Sequence, residues 1–209
     1  MKLYIYEHCP FSARVRFVAG MLNLAVDVVT IDYDDEKTTT DIIGSKQVPV
    51  FVKGDGEAIV ESLDIINHFL NLADSVETNI PSEAVLEWQR SAFLPLQKVG
   101  YPRWPSMDLK EFTTDSSKKA WRSKKETEAL NFDALLADTP VIAEEVEALI
   151  RKAGDVLNLG SDKRRKLVDE AIVFSILRGF FSAPEINWDL SVKEWMESVS
   201  KKTNVKLLK

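Results

Sequence analysis

Residues 2–12 read KLYIYEHCPFS, and this stretch contains the only cysteine of the 209-residue chain. Lys2–Tyr6 is rich in β-branched and aromatic residues, which predicts a short strand. A helical spacing of apolar residues runs through Phe11–Leu22. Pro10 suits the first turn of that helix, where its missing N–H costs nothing. The stretch therefore predicts a strand followed at once by a helix, with Cys9 at the junction.

The residues that follow continue the alternation of strands and helices. An almost uninterrupted apolar segment is typical of a parallel strand buried in a sheet. Lys53-Gly54-Asp55-Gly56 is a strong hairpin signal between two short strands. The predicted elements are a buried parallel strand Ala25–Ile31, a helical turn Asp41–Ile43, strands Val48–Val52 and Ala58–Val60, and a helix with Ser62 as its N-cap. The order β-α-β-α-β-β-α is that of a thioredoxin-like domain, which we assign to residues 1–73.

The second half of the chain contains only helical patterns. Residues 74–81 are polar and lack periodicity, so they are the predicted linker, and residues 82–209 form the predicted all-helical domain. Ala171–Phe181 is apolar almost all round, as expected of a central buried helix. The predicted helices are Ser82–Lys98, Ser116–Ala137, Pro140–Lys152 with Thr139 as its N-cap, Arg165–Phe181 and Ser191–Thr203. The fold class is therefore α/β followed by all-α.

Composition argues against several kinds of function. The net charge of −6 and the lack of a basic patch argue against a nucleic-acid partner. No apolar run is long enough for a membrane span, and the first residues lack the apolar core of a signal peptide. One cysteine excludes an internal disulfide, and two histidines are too few for most catalytic metal sites. We expect a cytoplasmic monomer with no membrane partner and no metal.

Cys9 is the residue with the clearest chemistry. The N–H groups and dipole at a helix N-terminus stabilise a thiolate, so we expect the Cys9 pKa to lie below the ~8.5 of a free thiol. Arg14 and Arg16, within the first two turns, add positive potential. Ser12 stands one turn further on and cannot displace a mixed disulfide, although its hydroxyl can hydrogen-bond the thiolate. A one-thiol site needs an external thiol, and glutathione is the abundant intracellular candidate.

Two further segments suit a bound glutathione. Gln47-Val48-Pro49-Val50 places a proline at the start of a strand, where a cis peptide would leave the Val48 backbone free to pair with a peptide. Glu61 and Ser62 precede a helix, so Ser62 and the nearby N–H groups can bind a carboxylate while Glu61 binds an ammonium. Glutathione carries both charges at one end. An ordinary strand-edge proline and a plain helix cap are the alternative interpretations.

Together, Cys9-Pro10-Phe11-Ser12, Val48-Pro49 and Glu61-Ser62 resemble the motifs of the glutathione-transferase superfamily. Within it the chain is most similar to the bacterial glutaredoxin 2 family, and the resemblance continues at Asn131–Ala137 and Ile186–Trp188. It implies a glutathione-transferase-like fold and an oxidoreductase that reduces mixed disulfides between glutathione and proteins or small thiols. It implies Cys9 as the nucleophile and a glutathione site formed by Phe11, Val48, Glu61 and Ser62, beside which we place Pro10 and Pro49.

The chain departs from the family pattern at two of these positions. Ser12 replaces a usual second cysteine, so we expect one-thiol chemistry and no two-thiol reduction of protein disulfides. Phe11 replaces a frequent tyrosine, which removes a hydroxyl but keeps an apolar wall.

Three other functions remain open at this point. An omega-like glutathione transferase or dehydroascorbate reductase also uses a cysteine beside proline, and Tyr101, Trp104 and Trp121 could line its electrophile pocket. Chloride-intracellular-channel proteins share the Cys-Pro-Phe-Ser motif and would make the chain a binding protein, although the arginines of its first helix oppose membrane insertion. Iron–sulfur assembly by monothiol glutaredoxins usually involves a glycine after the cysteine, where this chain has Pro10.

Overall fold

The computed structural model describes residues 1–209. Its first part is a mixed sheet of β1 (Lys2–Ile5), β2 (Asp27–Thr30), β3 (Val50–Val52) and β4 (Ala58–Ile59), with helices α1 (Pro10–Met21), α2 (Thr38–Ile43) and α3 (Ser62–Leu72). The strand order is β2-β1-β3-β4; β2 is parallel to β1, and the other neighbours are antiparallel. The predicted thioredoxin-like arrangement is confirmed.

Strand β1 is central because it pairs on both sides. Leu3 lies opposite Val28 of β2 and Phe51 of β3. Leu3 and Ile5 are fully buried while Lys2 is exposed, as the alternation of side chains along a strand requires. This rigid central strand positions the turn that contains Cys9.

The prediction that β2 is a buried strand is wrong. Its span shrinks to Asp27–Thr30, and it lies at the edge of the sheet, hydrogen-bonded only to β1. Val28 is 42% exposed. An apolar run shows that the side chains are hydrophobic, but it does not show whether a further strand pairs with the outer edge of this one. The parallel pairing with β1 agrees with the prediction.

The second part is entirely helical. Its helices are α4 (Glu83–Gly100), α5 (Asp115–Lys125), α6 (Phe132–Ala137), α7 (Thr139–Val156), α8 (Leu167–Phe180) and α9 (Leu190–Thr203), with 3-10 turns at Trp104–Ser106 and Lys110–Phe112. The predicted helix Ser116–Ala137 is two helices. Helix α5 ends where Glu126 adopts an extended backbone conformation. Helix α6 begins after Asn131, whose side chain accepts the Ala134 N–H at 2.9 Å as an N-cap.

Two predicted N-caps are also displaced by one residue. Glu61, not Ser62, is the N-cap of α3, with a φ of 63°, and no side chain caps that helix. Asp138, not Thr139, precedes α7, and the Thr139 hydroxyl donates instead to the Leu136 carbonyl at 2.7 Å. Serine and threonine can bond to carbonyls of the preceding turn, so their presence alone does not fix the cap position.

Helix α8 is the centre of the molecule. All 14 of its residues are buried, and it packs against α1 on one side and α4 on the other. The rings of Phe17 in α1 and Phe174 in α8 lie 4.9 Å apart. A single hydrophobic cluster of 50 buried residues includes members of the sheet, α1 and the later helices, so the two parts share one core. Where the boundary between them falls remains our prediction of 1–73 and 82–209.

One buried arginine joins three segments of the chain. Arg178 of α8 donates to the Glu7 carbonyl at 2.7 Å and to the Lys206 carbonyl at 3.0 and 2.9 Å. Its guanidinium therefore donates to backbone carbonyls two residues before Cys9 and near the C-terminus.

No helix of the chain combines the length and the apolar character needed to cross a membrane.

The close approach of α1 and α9 predicts a sensitive glycine. A Cβ at Gly20 would lie 2.4 Å from the Thr203 carbonyl oxygen and 2.6 Å from its Cα, both backbone atoms. We expect Gly20→Ala to lower the free energy of unfolding by about 1–3 kcal/mol, measured in urea. Gly154→Ala is the matched control, since its Cβ would lie 3.2 Å from one Val192 methyl. Equal stability of the two variants would contradict this packing.

Candidate functional site

Cys9 is the N-cap of α1, immediately after the β1 turn. Its φ and ψ of −63° and 122° are extended, and Pro10 occupies the first helical position. The Cys9 carbonyl accepts the Ala13 N–H at 2.9 Å, which closes the first helical turn. The residue is 8% exposed and lines a cavity of about 330 Å³. The predicted junction between strand and helix therefore places the thiol at the wall of a ligand-sized space.

The electrostatics of Cys9 differ from our expectation. Burial raises the pKa of the thiol above its ordinary value, although the Ser12 amide and hydroxyl, the Phe11 amide and the Arg14 charge all lower it. The expectation of a pKa below that of a free thiol is therefore wrong for this structure. The helix terminus acts as predicted, but desolvation of the negative sulfur is the larger effect.

Of the two predicted arginines, Arg14 is the one whose charge lowers the Cys9 pKa. Arg14 is 3% exposed, its guanidinium carbon lies 4.7 Å from the Phe11 ring centroid, and Nη2 donates to Gln89 Oε1 at 2.9 Å. Burial lowers the Arg14 pKa to about 10, and Cys9 opposes that shift. Arg16 lies instead near Glu7 and Glu111, which counteract the lowering of its pKa by burial.

Ser12 is fully buried one turn from Cys9. Its Oγ has no hydrogen-bond partner in the protein, while its hydroxyl lowers the Cys9 pKa. A buried hydroxyl without an acceptor is available to stabilise negative charge on the neighbouring sulfur. This position supports the predicted hydrogen-bonding role of Ser12.

The cavity collects some predicted residues and not others. Cys9, Pro10 and Phe11 line it together with the aromatic residues Tyr101, Trp104 and Trp121. Both tryptophans are 1% exposed, and Trp121 Nε1 donates to the Tyr101 carbonyl at 2.9 Å, which holds this wall in place. The helical part therefore supplies one side of the cavity.

The remaining predicted residues lie outside the cavity lining. The Val48–Pro49 peptide is cis, as expected, and the Val48 N–H and C=O form no hydrogen bond with the protein. Glu61 is exposed and has a positive φ, while Ser62 is buried at the start of α3. The Ser62 and Leu63 amides are likewise without a protein acceptor. These segments offer free backbone groups on the thioredoxin-like part.

Sequence reasoning missed the buried pair of His8 and Glu111. Glu111 is fully buried, and its Oε1 accepts the His8 backbone N–H at 2.8 Å and lies 2.7 Å from His8 Nδ1. Burial lowers the pKa of His8. Burial raises the pKa of Glu111, but the bonds from His8 outweigh this and leave it below its ordinary value. The two residues are 103 positions apart, so no local motif could have indicated the pair.

Aromatic rings enclose the His8 imidazole. Its ring is stacked on Trp104 at 5.1 Å, on Phe112 at 5.4 Å and on Tyr6 at 5.6 Å, and Trp121 meets it edge-on at 4.7 Å. This packing fixes the residue that immediately precedes Cys9 and thus the backbone that carries the thiol.

The balance at Cys9 predicts a pH profile. We expect the alkylation rate of Cys9 by iodoacetamide to rise with pH through a midpoint above that of free glutathione. Arg14→Gln should raise the midpoint further, because Arg14 lowers the Cys9 pKa. Arg90→Gln, an exposed position on α4, is the control. A midpoint below that of the free thiol would contradict the dominance of burial.

The His8–Glu111 pair predicts a stability loss that depends on pH. Glu111→Gln should cost about 3 kcal/mol of unfolding free energy at pH 7, because His8 loses a buried charged partner. The folded-state pKa of Glu111 is lowered from 4.5, so its contribution is present above pH 4.5 and is lost as the pH falls through the folded-state value. The difference between wild type and variant should close in acid. Glu128→Gln, at an exposed position, serves as control, and a constant difference would refute the assignment.

Comparison with known proteins agrees with this architecture. Residues 3–83 match the family model of the glutathione S-transferase N-terminal domain, and residues 84–209 match that of the glutaredoxin 2 C-terminal domain. Glutaredoxin 2 of Escherichia coli K12 is 31% identical over 211 residues, covering 100% of this chain and 98% of that protein.

Solved structures extend the comparison to three dimensions. Glutaredoxin 2 of Salmonella typhimurium, in complex with glutathione, superposes with a TM-score of 0.91 at 29% identity, covering 99% of this chain and 96% of that one. A glutathione S-transferase of Ceriporiopsis subvermispora shares the fold, with a TM-score of 0.69 at 15% identity and 98% of each chain covered. With a matching family model over more than half its length and a full-length relative, the chain belongs to the glutaredoxin 2 family.

Proposed function

We propose that this protein is a glutathione-dependent thiol–disulfide oxidoreductase that reduces glutathione mixed disulfides through Cys9 alone. The observation that carries the proposal is the position of Cys9. It is the only thiol of the chain, it caps α1, and it lines a cavity between aromatic walls. In a glutaredoxin 2 family member, a thiol so placed is the natural attacking group.

The thioredoxin-like part offers a place for glutathione. The family member from Salmonella typhimurium is in complex with glutathione, and this chain carries free backbone groups suited to the same peptide. We propose that the unpaired N–H and C=O of Val48, beside Pro49, bond to the glutathione backbone. The uncapped amides of α3 and the Ser62 hydroxyl would bind its α-carboxylate, and Glu61 its ammonium. A positive φ at a non-glycine such as Glu61 is a feature often found at ligand sites.

The reaction follows from one thiol. The Cys9 thiolate attacks the glutathione sulfur of the mixed disulfide, a Cys9–glutathione bond forms, and the substrate leaves as a thiolate that takes a proton from water. A second glutathione thiolate then attacks the same sulfur, which yields oxidised glutathione and restores Cys9. In the net exchange one added glutathione is oxidised as the substrate thiol is released reduced, and the glutathione half of the mixed disulfide ends in the oxidised glutathione. Because burial raises the Cys9 pKa, we expect the rate to rise with pH as the reactive thiolate forms.

Transferase chemistry is a second candidate because the cavity joins Cys9 to Tyr101 and Trp104. A flat electrophile would fit between such rings. Conjugation of glutathione to an aromatic electrophile, measured beside disulfide reduction with the same preparation, separates the two activities. The expectations of glutathionylated proteins as substrates, a monomeric state and a cytoplasmic location stay part of this proposal.

The nucleophile is tested by substitution. We expect Cys9→Ser to abolish reduction of a glutathione mixed disulfide with its unfolding midpoint largely retained, because no other thiol is present. Ser12→Ala, the matched control, should lose less than about tenfold, the worth of one hydrogen bond to the thiolate. Activity of Cys9→Ser above a few per cent of wild type would refute the assignment.

The one-thiol limit is tested by adding a thiol. Ser12→Cys should form an internal disulfide with Cys9 and gain activity on the disulfides of insulin, with glutathione as electron source. Equal insulin reduction by wild type and Ser12→Cys would show that Ser12 does not set this limit.

A further inference from the structure

The cavity beside Cys9 is positively charged, although the chain as a whole is acidic. Its lining includes Lys46, Lys124 and Lys125 and contains no Asp or Glu, in a protein whose net charge is −6. The rest of its wall is aromatic, apolar or neutral, apart from the thiol itself. A concave site lined by one sign of charge and weakly polar walls concentrates ligands of the opposite sign.

The three lysines are not equivalent. The Lys46 ammonium is paired with the Glu36 carboxylate at 2.6 Å, so most of its charge is already balanced. Lys124 is exposed to solvent. Lys125 is half-buried and forms neither an ion pair nor a hydrogen bond with the protein. Its ammonium nitrogen lies 5.3 Å from the Tyr101 ring centroid and 5.7 Å from that of Trp121.

The surroundings of Lys125 offer its ammonium only weak partners. Two aromatic faces are weak partners for an ammonium and leave all three of its N–H donors without a hydrogen-bond acceptor in the protein. Burial and the neighbouring Lys124 charge lower the Lys125 pKa, whereas a negative charge on Cys9 raises it. Lys125 is thus the partly buried lysine of this cavity whose ammonium has no anionic partner in the protein.

We propose that Lys125 binds an anionic group, such as a carboxylate, on the substrate half of the mixed disulfide. The inference rests on the proposed function and deepens it. Of the segments expected to bind glutathione, only Pro10-Phe11 beside Cys9 belongs to the cavity lining, while Val48 and Glu61-Ser62 lie outside it. The far side of the cavity, at Lys125, is therefore left for the other half of the disulfide. The rings of Tyr101 and Trp121 contact its carbon atoms, and Lys125 receives its charge.

This assignment changes specificity and adds no step to the reaction. Cys9 still forms its bond to the glutathione sulfur, and the substrate thiolate still leaves with the electron pair of the broken disulfide bond. The anionic group is held in both the disulfide and the departing thiol. Lys125 therefore acts on substrate binding, and its removal should appear mainly in KM.

Two glutathione mixed disulfides of matched shape test the proposal. One carries 3-mercaptopropionate and the other 3-mercaptopropionamide, so they differ in one unit of charge. For wild type we expect kcat/KM to favour the carboxylate by about tenfold, typical of a charged hydrogen bond in a partly buried site. Lys125→Gln should bring this ratio near one, mainly through KM, while Lys125→Arg should keep most of it. Lys119→Gln, the same change of charge at an exposed position of α5, should leave the ratio as in wild type.

The outcomes separate this inference from the function on which it rests. An unchanged carboxylate-to-amide ratio in Lys125→Gln, with both disulfides reduced, would overturn the inference and leave the proposed function standing. An equal loss with both disulfides, accompanied by a higher KM for glutathione, would assign Lys125 to glutathione and also overturn it. If wild type reduces neither disulfide, the proposed function fails, and this inference fails with it.

Discussion

The hydrogen bonds between His8 and Glu111 are the interaction on which the site depends. The Glu111 carboxylate has no solvent contact, and its Oε1 lies 2.8 Å from the backbone nitrogen and 2.7 Å from Nδ1 of the same histidine. Burying a charge is costly unless its partners are fixed, so the turn before Cys9 and the 3-10 turn that carries Glu111 must keep one relative position. The cavity has a defined shape because these two turns, one from each part, are held together.

Arg178 completes this constraint from the opposite side. It donates to the Glu7 carbonyl, one residue before His8. Its positive charge also attracts the negative charge of the buried Glu111 carboxylate. Helix α8, from which it projects, is buried throughout and packs on both α1 and α4. The backbone around the thiol is thus restrained by a cation and an anion from the helical part, which explains how a cysteine on a turn is held rigidly.

Burial and charge oppose each other at Cys9. Desolvation raises the pKa of the thiol, while the amides of α1, the Ser12 hydroxyl and Arg14 lower it. The same low-dielectric surroundings strengthen the influence of nearby charges, such as that of Arg14 on Cys9 and that of an ionised Cys9 on Lys125. A negatively charged mixed disulfide that enters this space meets an unpaired ammonium and aromatic faces, whereas the outer surface of an acidic protein repels it.

The sequence by itself determined the order of elements in the thioredoxin-like part, the cysteine at a helix N-terminus, the hairpin at 53–56 and the all-helical second half, because periodicity and turn residues are local signals. It also indicated the cis peptide before Pro49. Tertiary structure alone decided that β2 lies at a sheet edge, that Cys9 is buried enough to raise its pKa, and that Glu111, Arg178 and Lys125 surround the site. These features depend on contacts between residues up to 171 positions apart, and the free energy of burying a charge is set by what the fold places around it.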